Sequence, residues 1–219
     1  MTGQLEWVDL GVMDYLAAWE RQRLEAREAE ERRATGKTIH RVLLVEHPHV
    51  YTLGKNGDEA NLLAPEGVTL LRVNRGGDIT YHGPGQLVVY PVIDLLRAGA
   101  GVRQHVDWLE EIVIRVLLRH GITGERLPGA TGVWIEPRGN APRKICAIGI
   151  HCSRGITTHG FALNVNTDLD RFKRLNPCGI VDKGVTSIAR ELGRPVDMEN
   201  VKAAVREETN TLWNKTRQP

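Results

Sequence analysis

One amphipathic segment near the middle of the chain separates two groups of short apolar runs. Over residues 102–120, apolar side chains recur at steps of three and four residues, and Gly121 follows at once. This periodicity with a glycine stop predicts a helix. Runs rich in branched apolar residues predict strands at 39–45, 50–53, 70–73 and 87–93 before this helix, and at 132–135, 144–150 and 161–165 after it. A chain with this order is neither all-helical nor all-β.

The two ends of the chain add further helices. Residues 13–33 begin apolar and become dense in Glu and Arg, so we expect a helix whose second half faces solvent. Residues 198–214 form another amphipathic pattern, and a polar turn at 137–142 predicts a β-hairpin. Because helices and strands do not alternate regularly, the predicted class is α+β, with mixed or antiparallel sheets flanked by helices. We expect a single domain over residues 1–219.

The composition excludes several classes of protein. With 41% hydrophobic and 26% charged residues the chain is neither disordered nor fibrous, and a net charge of +2 gives no case for a nucleic-acid surface. The first ten residues lack a basic start followed by an apolar run, so they do not form a signal peptide. All apolar runs are shorter than the roughly 18 residues of a membrane span. We therefore expect a cytoplasmic protein that binds neither nucleic acid nor membrane.

Two short motifs are similar to known binding sites but lack residues that those sites require. Gly36-Lys-Thr38 is similar to the end of a phosphate-binding loop, but the glycine required five residues earlier is replaced by Glu31. Cys146, His151 and Cys152 lack a fourth ligand at metal-binding spacing. The sequence therefore predicts no metal and no cofactor.

The segment with the most unusual composition is Arg75-Gly-Gly-Asp-Ile-Thr-Tyr-His-Gly-Pro-Gly-Gln86. It holds four glycines and one proline in twelve residues. Glycine is costly to order but lets a ligand approach the backbone closely, and Arg75, Thr80, His82 and Gln86 add polar groups beside it. The strand predicted to follow gives the segment a rigid base. These features favour a ligand-binding loop over a plain tight turn, which is the alternative.

The number of cysteines is odd, three in all, which argues against a disulfide framework. Cys146 and Cys152 lie in or beside a β run with apolar neighbours, where a free cysteine is usually a small buried hydrophobe. Cys178 lies in the turn-prone Asn176-Pro-Cys-Gly179 after several basic residues, which is the setting of a nucleophile or, equally, of a structural loop cysteine. Strand alternation predicts that Lys144 shares a face with Cys146. From the residues alone Lys144 is a charge in water at the end of a strand, unless a nearby thiol is its partner, in which case it lowers that thiol's pKa.

Four segments together resemble the lipoyl and octanoyl transferases, which share a broad family with lipoate and biotin protein ligases. They are Arg75-Gly-Gly-x-x-Thr-x-His82 with Gly85, Gln86 and Tyr90, then Lys144-Ile-Cys-Ala-Ile-Gly149, Thr158-His-Gly-Phe-Ala-Leu-Asn164 and Pro177-Cys-Gly179. The resemblance spans residues 40–190, and its combination of Lys144 with Cys178 is specific. It implies a biotin/lipoate protein ligase-like catalytic domain.

The resemblance also implies roles for particular residues. Cys178 would carry the acyl group as a thioester, and Lys144 would lower the Cys178 pKa and move protons. The residues that match the acyl-pocket segments are Arg75, Gly76, Gly77, Asp78, Ile79, Thr80, Tyr81, His82, Ala147, Ile148, Gly149, Gly160, Phe161 and Ala162. Gly149 and Ala162 would form a narrow apolar slot, in which bulkier residues would shorten the accepted acyl chain.

The implied reaction moves an octanoyl group from the phosphopantetheine thioester of acyl carrier protein to a lysine of a lipoyl domain. The acceptors would be lipoyl domains of 2-oxo acid dehydrogenase complexes or the glycine cleavage H protein. Arg171, Lys173 and Arg174 precede Cys178 and would dock an acidic partner, or else form a solvated helix face. Two alternatives stay open here: an ATP-dependent lipoate-protein ligase and a non-enzymatic carrier-binding module.

Overall fold

The computed structural model describes residues 3–36, 38–63, 69–135, 142–175 and 184–215. The strands are β1 (Gln4–Val12), β2 (Ile39–Glu46), β3 (Val50–Leu53), β4 (Leu70–Arg72), β5 (Ile79–His82), β6 (Gln86–Val92), β7 (Glu125–Leu127), β8 (Ala130–Ile135), β9 (Arg143–Ser153), β10 (Ile156–Asn164) and β11 (Gly184–Val185). The helices are α1 (Tyr15–Ala34), α2 (Leu95–Ala98), α3 (Val102–Arg119), α4 (Ile188–Leu192) and α5 (Met198–Lys215). Two 3₁₀ helices span Glu59–Asn61 and Leu169–Arg174.

Eight of these strands form one mixed sheet and the other three form a second. The order in the large sheet is β1-β2-β6-β10-β9-β8-β7, with β11 paired to β9. Its neighbours are antiparallel except for the parallel pairs β1·β2 and β11·β9. In the small sheet, β3 pairs parallel with β4 and antiparallel with β5. Mixed sheets without regular βαβ alternation confirm the predicted α+β class.

Helices cover both faces of the large sheet. On one face α3 and α5 pack together, and Leu109, Val113 and Val205 belong to the largest cluster of buried side chains. On the other face α1 contributes Ala18, which packs against Val45 and neighbouring strand residues. Each buried aliphatic side chain of this size contributes about 1.5–3 kcal/mol. Within the described ranges, no helix is both long and apolar enough to cross a membrane.

The charged second half of α1 is less exposed than its composition predicts. Glu25 is buried and accepts a hydrogen bond from Arg21 at 2.6 Å, and Arg41 lies 3.7 Å from its other oxygen. Arg33 Nε donates to the buried carboxylate of Asp94 at 2.7 Å. The expectation of a solvated face is therefore wrong for Glu25, whereas Arg27 and Glu31 are exposed as expected.

The sequence patterns do not predict four of the strands: β1, β5, β7 and β11. β1 extends the large sheet by pairing with β2. β5 lies inside the glycine-rich segment and pairs with β3, so that Thr80 stands opposite Thr52. The glycine-rich segment is thus partly loop and partly strand. The predicted hairpin is confirmed in the antiparallel pairing of β8 with β9, and its turn at 136–141 lies outside the described residues.

A β-bulge interrupts β9 near its start. Val133 pairs with Cys146 and Trp134 pairs with Lys144, so Ile145 has no opposite residue on β8. An extra residue of this kind disturbs the alternation of side chains between the two faces. Ile145 and Cys146 consequently both lie in the core under α3 and α5, whereas Lys144 lines a cavity on the other side. The predicted shared face of Lys144 and Cys146 is therefore wrong.

Candidate active site

A cavity of about 340 Å³ lies beside the face of the large sheet that α1 covers. Its volume is in the range typical of small-ligand sites. The apolar residues that line it include Ile79, Val88, Trp134, Ala147, Ile148, Phe161, Ala162, Phe172, Leu175 and Val185. The polar or charged side chains that line it include Tyr15, Arg75, Asp78, Thr80, His82, Gln86, Tyr90, Lys144, His159 and Asn164. The cavity therefore combines an apolar wall with a polar one.

The structure brings most of the predicted site residues together around this cavity. Lys144 lines it, as do the predicted pocket residues Arg75, Gly77, Asp78, Ile79, Thr80, His82, Ala147, Ile148, Gly149, Gly160, Phe161 and Ala162. Cys178 lies outside the described residues. Gly184 and Val185, the first described residues after that gap, also line the cavity.

Gly76 and Tyr81 stand behind the wall rather than in it. The Gly76 N–H donates to the Ile150 carbonyl at 2.9 Å, which ties the glycine-rich segment to β9. Tyr81 is fully buried, and its hydroxyl lies 2.7 Å from Nδ1 of His49. Both residues therefore support the residues of the cavity wall without lining the cavity themselves.

Arg75 fastens the glycine-rich segment to β3. Its Nη2 donates to the Thr52 carbonyl at 2.6 Å and to Thr52 Oγ1 at 2.9 Å, and its Nη1 donates to the Gly76 carbonyl at 3.0 Å. Burial lowers the Arg75 pKa from its usual value. The Asp78 carboxylate attracts this guanidinium and opposes part of that lowering. Arg75 thus brings a positive charge to the cavity wall while its donors hold backbone and hydroxyl oxygens.

His82 and Gln86 form a polar support for one side of the cavity. His82 Nδ1 lies 2.8 Å from Gln86 Oε1, and because an amide oxygen only accepts, Nδ1 carries the proton. The Gln86 amide donates onward to Asn164 Oδ1 at 2.9 Å. Burial lowers the His82 pKa well below its usual range, so the ring is neutral.

His47 and Tyr90 continue this polar support under α1. His47 Nδ1 lies 2.7 Å from the Met13 carbonyl and therefore donates to it, which leaves Nε2 to accept from the Tyr90 hydroxyl at 2.8 Å. Burial lowers the His47 pKa and raises the Tyr90 pKa well above its usual range. Both groups are therefore uncharged near neutral pH.

His159 has a backbone conformation that is uncommon for residues with a Cβ atom, with φ at +59°. Such strain tends to occur at functional sites. Two hydrogen bonds hold it: the His159 N–H donates to Gln22 Oε1 at 2.7 Å, and Nε2 lies 2.7 Å from Asn74 Oδ1. Burial lowers the His159 pKa to about 3. The His159 ring on β10 is therefore another neutral group in the cavity lining.

The thiols Cys146 and Cys152 lie away from the cavity. Cys146 is fully buried in the core, and burial raises its thiol pKa far above the usual range. Cys152 is half-buried and packs against the same core. Both occupy the packing positions that the sequence predicts. Within the described ranges, no group of three or more His, Cys, Asp or Glu side chains is arranged to hold a metal ion.

The basic residues before Cys178 lie on the second 3₁₀ helix, whose Phe172 lines the cavity. Arg171 Nε lies 3.3 Å from the Asp168 carboxylate, and Lys173 Nζ lies 2.7 Å from Asp170. These pairs offset part of the positive charge that the sequence displays. Docking of an acidic partner at this helix stays a prediction.

Several cavity residues could not be found from local patterns. Tyr15 is the first residue of α1, whose sequence is typical of a charged surface helix. Leu175 and Val185 lie on either side of residues 176–183, which are outside the described ranges. Trp134 lies on a predicted strand, but nothing local shows which face it occupies. The predicted hairpin makes residues of β8 and β9 cross-strand neighbours, which was the available signal for a contact between Trp134 and Lys144. The bulge at Ile145 shifts the register of this pairing.

The fold and its cavity define the catalytic-domain class shared by lipoate and biotin protein ligases. A bi-partite lipoate protein ligase from Thermoplasma acidophilum has a TM-score of 0.66 at 19% identity, covering 99% of this chain and 84% of that chain. A biotin protein ligase from Aquifex aeolicus has a TM-score of 0.52 at 14% identity, covering 98% of this chain and 70% of that chain. At these identities the likeness shows the fold alone.

Sequence comparison narrows this class. Residues 14–210 match the lipoyl protein ligase A/B catalytic domain, and the chain belongs to that family. An octanoyltransferase of Bacteroides fragilis is 49% identical over 201 residues, which cover 89% of this chain and 91% of that protein. The resemblance seen in the motifs is thereby confirmed, and with it the prediction that the protein is an acyltransferase.

Proposed function

We propose that the protein transfers an octanoyl group from octanoyl-acyl carrier protein to a lysine of lipoyl domains. The acceptors are lipoyl domains of 2-oxo acid dehydrogenase complexes or the glycine cleavage H protein. One observation carries the proposal: Lys144 lines the same cavity as the glycine-rich segment and the glycines of β9 and β10, in a chain whose relatives are octanoyltransferases.

In the first half of the reaction, the Cys178 thiolate attacks the carbonyl carbon of the donor thioester. A bond to the Cys178 sulfur forms while the bond to the phosphopantetheine sulfur breaks. The departing thiolate takes a proton from the Lys144 ammonium and leaves as a thiol. Before the attack, the same ammonium favours the thiolate form of Cys178, because a nearby positive charge lowers a thiol pKa. Exchange between two thioesters needs no nucleotide.

In the second half, the neutral amine of the acceptor lysine attacks the Cys178 thioester. An amide bond forms, the bond to the Cys178 sulfur breaks, and Cys178 leaves as a thiolate. The proton lost by the amine passes to the neutral Lys144 amine, which becomes an ammonium again. The two halves together restore both side chains, so Lys144 gives one proton and takes one proton in each cycle.

The apolar wall supports an acyl chain as the bound group. Ile79 and Val88 are buried residues of the cavity lining, and Ala162 adds only a methyl group to that lining. Each buried methylene of the chain contributes about 0.8 kcal/mol. Backbone N–H groups of the glycine-rich segment are our candidates for stabilising the negative oxygen of the tetrahedral intermediate.

The polar wall supports this assignment of proton transfer to Lys144. Burial raises the Tyr15 pKa to about 12 and lowers the His159 pKa to about 3, so neither group exchanges protons readily near neutral pH. The buried His82 ring is also held neutral. These three lining groups are therefore poor alternatives to Lys144 as the carrier of the proton that passes between thiol and amine.

The test is a transfer assay with purified protein, octanoyl-acyl carrier protein and an unmodified lipoyl domain, without added nucleotide. Mass spectrometry should show one octanoyl group on the acceptor lysine, and Lys144→Ala should abolish the reaction while the matched variant Lys215→Ala, at the exposed end of α5, retains it. A strict requirement for ATP with free octanoate would show an ATP-dependent ligase instead. Binding of the carrier without any transfer would show a carrier-binding module.

A further inference from the structure

The bulge in β9 gives Lys144 a partner on the neighbouring strand. Because Ile145 is skipped, Trp134 stands directly opposite Lys144, and opposed residues of an antiparallel pair point to the same side of the sheet. Both side chains line the cavity. Lys144 Nζ lies 4.6 Å from the centroid of the Trp134 ring. This distance suits a cation–π interaction, for which indole is the strongest aromatic partner.

The Trp134 ring is fixed before any substrate arrives. Its side chain is buried at 3% exposure, and its Nε1–H donates to the Ala130 carbonyl at 2.9 Å. A ring that is already immobile offers its face to an ammonium without losing further side-chain entropy. The Lys144 ammonium therefore contacts a ring that is already fixed in place.

Gly132 lets β8 approach the backbone of β9 closely beside Lys144. A Cβ atom at this position would lie 2.5 Å from the Cys146 carbonyl oxygen and 3.6 Å from Cε of Lys144, and φ is +120°. The Gly132 N–H donates to the buried carboxylate of Glu110 at 3.0 Å. Strand β8 is thus pinned to α3 at the point where it faces Lys144.

We propose that Trp134 is a positioning residue for Lys144. The face of its ring holds the ammonium at the cavity wall and favours the charged form over the neutral amine. The catalytic meaning of this contact rests on the proposed function, in which a charged Lys144 faces the thiol that accepts the acyl group. The contact itself is a property of the two strands and is measurable without substrate.

The test is pH-dependent labelling of Lys144 with acetic anhydride, measured on its peptide by mass spectrometry. The neutral amine reacts and the ammonium does not, so the midpoint of labelling reports the balance between the two forms. In Trp134→Leu the midpoint is expected to fall by about 0.5 to 1.5 pH units. A ring-fluorinated tryptophan at position 134 weakens the negative ring face while nearly keeping its shape, and Trp134→Phe leaves a smaller aromatic face. Both should give intermediate midpoints.

The matched control is Trp108→Leu. Trp108 is an indole of similar burial in the core under α3, and it does not line the cavity. Its loss should leave the Lys144 midpoint unchanged. An unchanged midpoint in Trp134→Leu and in the fluorinated protein would overturn the inference, and so would an equal shift in Trp108→Leu. The fluorinated protein keeps the test decisive if the leucine variant fails to fold.

Octanoyl transfer by the same variants separates this inference from the proposed function. The kcat of Trp134→Leu should fall about 2- to 30-fold, and across the Trp134 variants the fall in kcat should follow the shift of the Lys144 labelling midpoint. A fall in kcat without a shift of the midpoint would overturn the positioning role. A shifted midpoint in a protein that transfers no octanoyl group would contradict the proposed function and leave the contact between Trp134 and Lys144 supported.

Discussion

Gly149 packs so closely against Gly76 that a Cβ atom at position 149 would lie 2.6 Å from the Gly76 carbonyl oxygen. The contact occurs where the glycine-rich segment meets β9, next to the hydrogen bond from the Gly76 N–H to the Ile150 carbonyl. The sequence predicts only that Gly149 leaves space for an acyl chain, and the structure adds a second role. Gly149 lets two backbones meet and so fixes the wall of the cavity.

Gly149→Ala should destabilise the protein because the added methyl group meets backbone that cannot easily move. We expect a loss of about 1–3 kcal/mol in the free energy of unfolding, measured by urea denaturation. Gly76→Ala is the matched control, since its Cβ would meet the Ile150 carbonyl oxygen at 3.4 Å, an ordinary contact. Equal stability of the two alanine variants would contradict this account of the wall.

Ala162→Val should change which acyl chain the enzyme prefers. Ala162 is buried and lines the cavity from β10, so a larger side chain removes space for the acyl chain while leaving the backbone in place. The ratio of kcat/KM for octanoyl over hexanoyl donors should fall about 10-fold or more. Ala204→Val adds the same atoms to α5, away from the cavity, and should leave that ratio unchanged. An unaltered ratio in Ala162→Val would remove Ala162 from the chain-length determinants.

Arg75→Lys should loosen the glycine-rich segment although the charge is kept. The guanidinium spans Thr52 and the Gly76 carbonyl, which a single ammonium does not reproduce. We expect about 2–4 kcal/mol less stability together with a lower kcat/KM. Thr52→Ser keeps the hydroxyl acceptor and should have a small effect on both. If Arg75→Lys matched the wild type in thermal stability, Arg75 would not be the fastening point.

His105 should make the protein sensitive to acid. It is fully buried in α3, burial lowers its pKa to about 4, and neither ring nitrogen has a hydrogen-bond partner among the described residues. The unfolded chain, with a pKa near 6.5, binds more protons between these two values, so stability falls as pH drops from about 6.5 to about 4. The total loss from this group is about 3 kcal/mol.

His105→Leu removes this proton uptake and should make the stability curve less steep over that pH window, where unfolding still protonates the buried His47, His82 and His159 rings. It should also stabilise the protein at neutral pH, because an unbonded polar ring leaves the core. His105→Gln is the control: it loses the titration but keeps a polar group in the core, so only the slope should change. Urea unfolding at several pH values measures both. A slope in His105→Leu equal to that of the wild type would assign the acid sensitivity elsewhere.

Patterns within one element were predicted well from the sequence. The helix expected over residues 102–120 is α3, Val102–Arg119, because its apolar periodicity and its glycine stop are local. The strands of the hairpin and the α+β class follow from equally local runs of residues. The motif resemblance also predicts that residues of β5, β9 and β10 share one pocket, and these residues line the cavity.

Features that depend on pairing between distant segments were not predictable. The bulge at Ile145 exists only in relation to β8, and it decides which side of the sheet Lys144 faces. The buried state of Glu25 depends on Arg21 in its own helix and on Arg41 in a neighbouring strand. Tyr15 reaches the cavity because α1 crosses the face of the large sheet. Such placements result from tertiary packing, which composition and periodicity do not encode.

The central claim is that Cys178 carries the acyl group, and intact-mass analysis tests it most directly. The protein is mixed with octanoyl-acyl carrier protein in the absence of acceptor, alongside Cys178→Ser and the matched Cys152→Ser. We predict that the wild type and Cys152→Ser each gain the mass of one octanoyl group, which hydroxylamine removes, and that Cys178→Ser gains none. An adduct that persists in Cys178→Ser, or one that is lost in Cys152→Ser, would contradict the account.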